Sequence, residues 1–408
     1  MQAVGPARLA LALALAAQLS AAPPATAQDL RGHGGPVRAL AAEGGRILSG
    51  GLDTRAIRWE GDAPAQIVRG HTGAVTAVLP LPGGFATGGQ DGQVILWADG
   101  NPDPVSRRAV HDAPVVALAA LPDGIASAGW DGRIALPDGT DFEAHQGQAT
   151  GLVATPDGLA SIGTDLRLRF WQGARLVASV DLASPPAALV ADGAGVIVAG
   201  ADGVLRRATP AGIEAARALS DRPLPVVALA AEGGLLAASS VSGEVWVIEA
   251  DDLTLRARIE TGQGAVWAVA FAQGDLLSAG NDGIIRRWTP EGSPLGPGRA
   301  AADSPSDTSR GGRVWRACAV CHSLAPDPGN RAGPTLQGIF GRPIASAPGY
   351  AYSEALRALD IIWTEETVAA LFEFGPEAYT PGSRMPEQRL PAPEDRRALI
   401  DFLRANGG

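Results

Sequence analysis

The sequence predicts two folds in one chain: an all-β seven-bladed β-propeller, then a small all-α domain. Three observations carry that expectation. A His, a hydroxyl, an Asp and a Trp recur at fixed offsets before residue 300. A Pro-, Gly- and Ser-rich stretch then ends all periodicity. Beyond it stands Cys318-Ala319-Val320-Cys321-His322, and the chain closes with an amphipathic helix.

The start reads as a secretory signal, residues 1–27. Arg8 is a modest positive start, Leu9 to Leu19 are apolar apart from Gln18, and Ala25-Thr26-Ala27 is a small-x-small cleavage site. A membrane anchor is the competing reading, but the apolar run is short for a span. No later stretch is long and apolar enough to cross a bilayer. The expectation is a soluble protein of the periplasm, with no membrane span.

Of the 408 residues, 46% are hydrophobic and 19% charged, enough for a packed core and unlike a disordered chain. Formal net charge is −10, and every fixed cation is an arginine. From Arg310 onward eleven Arg balance eleven Asp plus Glu, so the acidic excess belongs to the repeat region. There is no basic stripe, which argues against nucleic acid as a partner.

Four segments superpose without gaps: His33 to Trp59, His71 to Trp97, His111 to Pro137 and His145 to Trp171. Sixteen residues after each His comes Ser49, Thr87, Ser127 or Ser161. Four further on stands Asp53, Asp91, Asp131 or Asp165, and six after that the Trp, with Pro137 in the third copy. Degenerate copies follow around Asp202, Ser242-Gly243 and Ser278–Asp282–Trp288. The seven turns lie 34 to 41 residues apart. Within each copy, short β-type runs such as Val94-Ile95-Leu96-Trp97 alternate with Gly-rich or Asp-Gly turns. Such units cannot bury both faces alone; stacked radially, seven close a ring.

On these residues the region 28–295 resembles the WD-repeat β-propeller family. Gly32-His33, Gly70-His71, the Ser-x-x-x-Asp turns and the strand-ending Trp carry the resemblance. It implies a buried hydrogen-bond chain through His, Ser/Thr, Asp and Trp in each blade. It also implies that Gln28 to Arg31 pair with the last blade and latch the ring. No copy has Asp directly after its Trp, and copies five and six lack the His, so their cohesion is expected to be mainly apolar.

Four of the five histidines occupy that structural position, leaving His322. The linker, 296–309, continues a Pro-, Gly-, Ser- and Asp-rich run from Pro290. Its composition fits a flexible tether, with a reach of roughly 25 Å for some twenty residues; a docked arrangement of the two domains is equally compatible.

Cys318-x-x-Cys321-His322 matches the covalent haem attachment motif. Two thiols on one helical turn reach the two vinyl groups, and the adjacent imidazole faces the iron. A disulfide, a zinc half-site and a redox dithiol are the alternatives. Zinc needs further Cys or His, and a redox dithiol would be expected in a βαβ setting, which is absent.

From Arg310 to the end, 310–408, the chain resembles the class I soluble cytochrome c family in its mitochondrial-type branch. The matching residues are Val314-Trp315, Gly333-Pro334-Thr335-Leu336, Phe340-Gly341-Arg342, Tyr350-Ala351-Tyr352-Ser353, Trp363 and Tyr379 to Met385. The resemblance implies one covalent heme c, with thioethers from Cys318 and Cys321, iron ligation by His322 and Met385, and the carbonyl of Pro334 orienting the imidazole. It further implies that Arg342, Tyr352 and Trp363 hydrogen-bond the haem propionates. Trp315 should pack against the last helix near Phe402, and Pro393-Glu394-Asp395 and Gly407 bound that helix. Two departures matter: Phe372 stands where relatives often carry a Tyr directed at the Met sulfur, and the lysine ring used for docking is missing.

The function implied is single-electron transfer in the periplasm, with redox partner proteins docking on the haem edge and the propeller surface. Two alternatives stand beside it. One is an oxidoreductase whose propeller holds a second cofactor or substrate. The other is a haem-based redox sensor or assembly factor.

Overall fold

The computed structural model describes residues 29–193, 195–296, 308–325, 331–350, 352–383, 385 and 387–407. The expected signal segment 1–27 and residues 297–307 of the linker lie outside the described residues, as does Arg384.

Seven four-stranded antiparallel sheets form the propeller. Blade 1 runs Val37–Glu43, Arg46–Gly51, Arg55–Glu60 and Ala63–Arg69, and the next five blades repeat that order. The seventh is composite: Val266–Ala272, Asp275–Gly280 and Ile284–Trp288 are completed by Leu30–Arg31 from the start of the chain. Leu30 pairs with Ile285 and Arg31 with Ile284, the expected latch. First strands of neighbouring blades pack side by side around the ring, and that of blade 7 meets that of blade 1. Apolar side chains from facing sheets fill the space between blades, as where Leu48, Val75, Phe85 and Trp97 meet.

The repeated polar residues form the expected chain. In blade 1 Trp59 Nε1–H donates to Ser49 Oγ at 2.8 Å, Ser49 lies 2.8 Å from His33 Nε2, and His33 Nδ1 lies 3.0 Å from Asp53 Oδ1. With the proton on Nδ1 of a neutral imidazole, every donor in the chain has an acceptor. Blades 2 and 4 repeat it through Trp97–Thr87–His71–Asp91 and Trp171–Ser161–His145–Asp165. Blade 3 keeps His111, Ser127 and Asp131, with Pro137 in place of the Trp.

Blade 7 holds a residue that sequence reasoning missed. Gln263 replaces the His: Ser278 Oγ donates to its Oε1 at 2.6 Å, and its Nε2–H donates toward Asp282 at 3.3 Å. Its offset to Ser278 is fifteen residues rather than sixteen, which hid the equivalence. In blade 5 Arg206 pairs with Asp202 instead. In blade 6 the indole N–H of buried Trp246 has no hydrogen-bond partner among the described residues. Cohesion there rests on apolar packing, as expected.

Burial holds His145 below the usual imidazole range; its hydrogen bond to Asp165 opposes that shift, and the nearby Arg169 guanidinium adds to it. The unfolded chain takes up this proton near pH 6.5, whereas the folded ring resists it. The unfolded state therefore binds more protons as pH falls below about 6.5, and stability falls with it. The propeller is expected to melt at lower temperature at pH 5.5 than at 7.5. In His145→Gln, which borrows the residue of blade 7, that difference should shrink. An unchanged difference would assign the effect to other groups.

Candidate functional site

Among the described residues five helices follow the ring: α1 (Arg310–Cys318), α2 (Glu354–Arg357), α3 (Glu365–Phe374), α4 (Pro376–Tyr379) and α5 (Pro393–Asn406). Ser309 caps α1, its hydroxyl accepting from Gly312 N–H at 3.0 Å. Thr364 and Thr367 form a reciprocal capping box at α3. Pro393 starts α5, Glu394 and Asp395 sit at its positive end, and the N–H of Gly407 closes it on Leu403 O.

Helices α1 and α5 cross closely. A Cβ on Gly311 would sit 2.2 Å from the carbonyl oxygen of Ala398, so only glycine fits. Trp315 then stacks on Phe402 with ring centroids 5.9 Å apart. This crossing, together with α3, builds an apolar core that includes Val368, Leu371, Phe372, Leu399 and Leu403.

The end of α1 delivers the motif. Backbone bonds Ala319 N–H to Trp315 O, Cys321 N–H to Cys318 O and His322 N–H to Cys318 O carry the helical course through it. Both cysteines are free thiols. Burial pushes Cys318 up to about 12 and Cys321 to about 11; for Cys321, Arg331 opposes the shift and Asp53 adds to it.

His322 donates Nδ1–H to Pro334 O at 2.8 Å, the expected orienting bond. A Cβ at Gly333 would lie 2.5 Å from His322 Cε1, so the segment needs glycine to pass beneath the ring. Burial lowers the imidazole's proton affinity, with the Pro334 bond opposing. Nδ1 being used, Nε2 keeps a free lone pair; it has no hydrogen-bond partner among the described residues.

All eight residues singled out from the sequence border one largely apolar cavity: Cys318, Cys321, His322, Pro334, Arg342, Tyr352, Trp363 and Met385. Three of them bring unused donors. Arg342 spends two N–H groups on Gln337 O at 3.0 Å and Thr335 O at 2.7 Å, and the rest of its five meet no acceptor among the described residues. Tyr352 accepts from Ala347 N–H at 3.3 Å, which leaves its O–H to donate. The indole N–H of Trp363 has no hydrogen-bond partner among the described residues. Phe372 also lines the cavity and brings no hydroxyl to it.

The chain is similar to known proteins in both parts. The model of the WD domain, G-beta repeat, matches residues 63–98, within blades 1 and 2. Cytochrome c of Arabidopsis thaliana is 40% identical over 100 residues, which are 24% of this chain and 87% of that protein. Cytochrome c of Cochliobolus lunatus is 40% identical over 100 residues, covering 90% of its length. That of Chlamydomonas reinhardtii is 37% identical over 107 residues, covering 93%. Among solved structures, the computationally designed Ika8 protein superposes with a TM-score of 0.51 at 22% identity, over 65% of this chain and 87% of its own. At that identity the likeness speaks for the fold alone.

Proposed function

Because the chain belongs, through its C-terminal hundred residues, to the cytochrome c family, we propose that it is a class I c-type cytochrome that transfers single electrons in the periplasm, with the propeller as its docking surface. One observation carries this reading. Two thiols, a free imidazole nitrogen, a methionine and three spare donors meet in one apolar cavity.

These residues fit one covalent haem c. Cys318 and Cys321 would hold it, His322 Nε2 and Met385 Sδ would ligate its iron, and Arg342, Tyr352 and Trp363 would meet its carboxylates. Bound there, the haem supplies a one-electron couple whose potential Met/His ligation raises. Pro334 O fixes the tautomer and plane of the His322 ring. The apolar walls keep water from the site, and the buried α1–α5 crossing keeps its geometry rigid. With His322 and Met385 both given to the iron, a bound haem would offer a small substrate no place to bind. Redox partner proteins are the expected donors and acceptors, and the WD-type ring is a surface suited to them.

One observation favours a second reading, an oxidoreductase with a ligand in the propeller. The central channel has a single charged side chain among its described lining residues, Arg38. Its guanidinium lies 4.3 Å from the centroid of the Trp267 ring, and no carboxylate or hydrogen-bond partner meets it among the described residues. Burial lowers its proton affinity. Such a cation suits a small anionic ligand.

An anaerobic optical redox titration of the full-length protein decides between them. A single low-spin haem c titrating as one centre is expected. A second chromophore or redox step would overturn the carrier reading in favour of the oxidoreductase.

A further inference from the structure

The haem cavity is not built by the helical domain alone. Leu52 and Thr54, from the turn between the second and third strands of blade 1, are part of its lining. We propose that blade 1 is a wall of the haem site, so that the propeller, and not solvent, covers the cavity beside Cys321 and the Ala332-Gly333-Pro334 run. The inference rests on the haem reading above and extends it to residues of the other domain.

Four observations support it. The two domains share a backbone hydrogen bond, Ala332 N–H to Gly34 O at 2.8 Å, and Ala332 directly precedes the Gly333-Pro334 pair that holds His322. Gly35 lies against the same residue: a Cβ there would sit 2.6 Å from Ala332 Cβ, and its three nearest atoms all belong to Ala332. Burial of the repeated His–Asp pair differs between blades. Asp53 has a side-chain exposure of 0%, whereas Asp91, Asp131 and Asp165 retain 8%, 11% and 10%. The extra burial is confined to the blade that meets the helical domain.

The fourth observation is backbone strain. Blades 2, 3, 5, 6 and 7 place glycine after the turn Asp or its equivalent, at Gly92, Gly132, Gly203, Gly243 and Gly283, all with positive φ. Blade 1 has Thr54 there, at φ 65°, and blade 4 has Leu166, at φ 59°; of the two, only Thr54 is β-branched. A β-branched residue is an outlier in that region, and such strain persists where the surroundings over-determine it. At Thr54 the side chain so placed borders the cavity.

A wedge and its relief test this in the full-length protein. Gly35→Ala drives a methyl into Ala332, and Ala332→Gly removes the methyl it strikes. Gly35→Arg is the larger wedge, and Thr54→Gly removes the wall while relieving the strain. Two readouts are measured. One is alkylation of Cys321 in haem-free protein. The other is the midpoint potential and the rate of oxidation by ferricyanide in haem-loaded protein. The wedges and Thr54→Gly should speed alkylation and ferricyanide oxidation several-fold and lower the potential, since water favours the more highly charged oxidised site. Gly35→Ala with Ala332→Gly should return both towards the parent.

Unchanged alkylation and potential in Gly35→Arg and Thr54→Gly, in protein that folds and carries haem, overturns the blade-1 wall and leaves the carrier reading intact. Failure of the parent to take up haem overturns the carrier reading itself, while the alkylation result still reports on the domain contact.

Discussion

Met385→Ala is expected to keep its covalently attached haem and to bind imidazole or carbon monoxide, which the parent refuses. The proposed attachment residues, Cys318 and Cys321, are far from Met385 in sequence and are untouched. Met385 borders the same cavity as the free Nε2 of His322, and its backbone N–H is held by Ser383 Oγ at 3.1 Å. Removing the thioether would leave an apolar opening at the proposed ligand position. The potential should fall by a sizeable part of the roughly 0.8 V range that axial ligands span. Optical titration with imidazole reads both effects. Ligand uptake no greater than in the parent would show that Met385 does not hold the sixth position.

Trp59→Ala should be the most damaging single change in the ring. Its side chain is 1% exposed, packs among Ile57, Leu30 and Ile285, and donates to the Ser49 hydroxyl. Truncating a buried Trp costs about 3–5 kcal/mol, and the loss of its N–H leaves the Ser49–His33–Asp53 chain short of a donor. For a domain of this size that is a fall of roughly 10 °C in the propeller transition. Trp59→Phe keeps most of the packing and should cost only about 1–2 kcal/mol. Calorimetry of the full chain, with the haem transition followed separately in the Soret band, checks both. Equal losses in the two variants would show that packing is not what Trp59 contributes.

What was legible in the sequence was legible for a reason. A buried Asp needs donors, so His, Ser and Trp must recur at offsets set by strand length, and blades 1, 2 and 4 keep those offsets without gaps. The eight cavity residues were visible because the roles expected of them suit few other side chains. Gln263 was invisible because an amide can replace the imidazole only at a shifted offset. Arg38 was hidden because a channel-facing position obeys the same alternation as any solvent-facing one. The contact between the domains was also hidden. Gly34-Gly35 reads as an ordinary turn, and only the fold shows that Gly35 is small because Ala332 lies against it. Linker composition speaks of freedom, not of where the tethered domain comes to rest.

The clasp that closes the ring has a mechanical side. Among the described residues two pairs, Leu30 with Ile285 and Arg31 with Ile284, join this strand to blade 7. The pairing is antiparallel, so the chain enters at Leu30 and leaves past Trp288 at the same end of the sheet. Tension drawn along both strands from that end peels the pair apart one bond at a time, the weakest way to load a sheet. Stretched so, the ring yields first at its seam, beside blade 1, with each of the other six blades still whole.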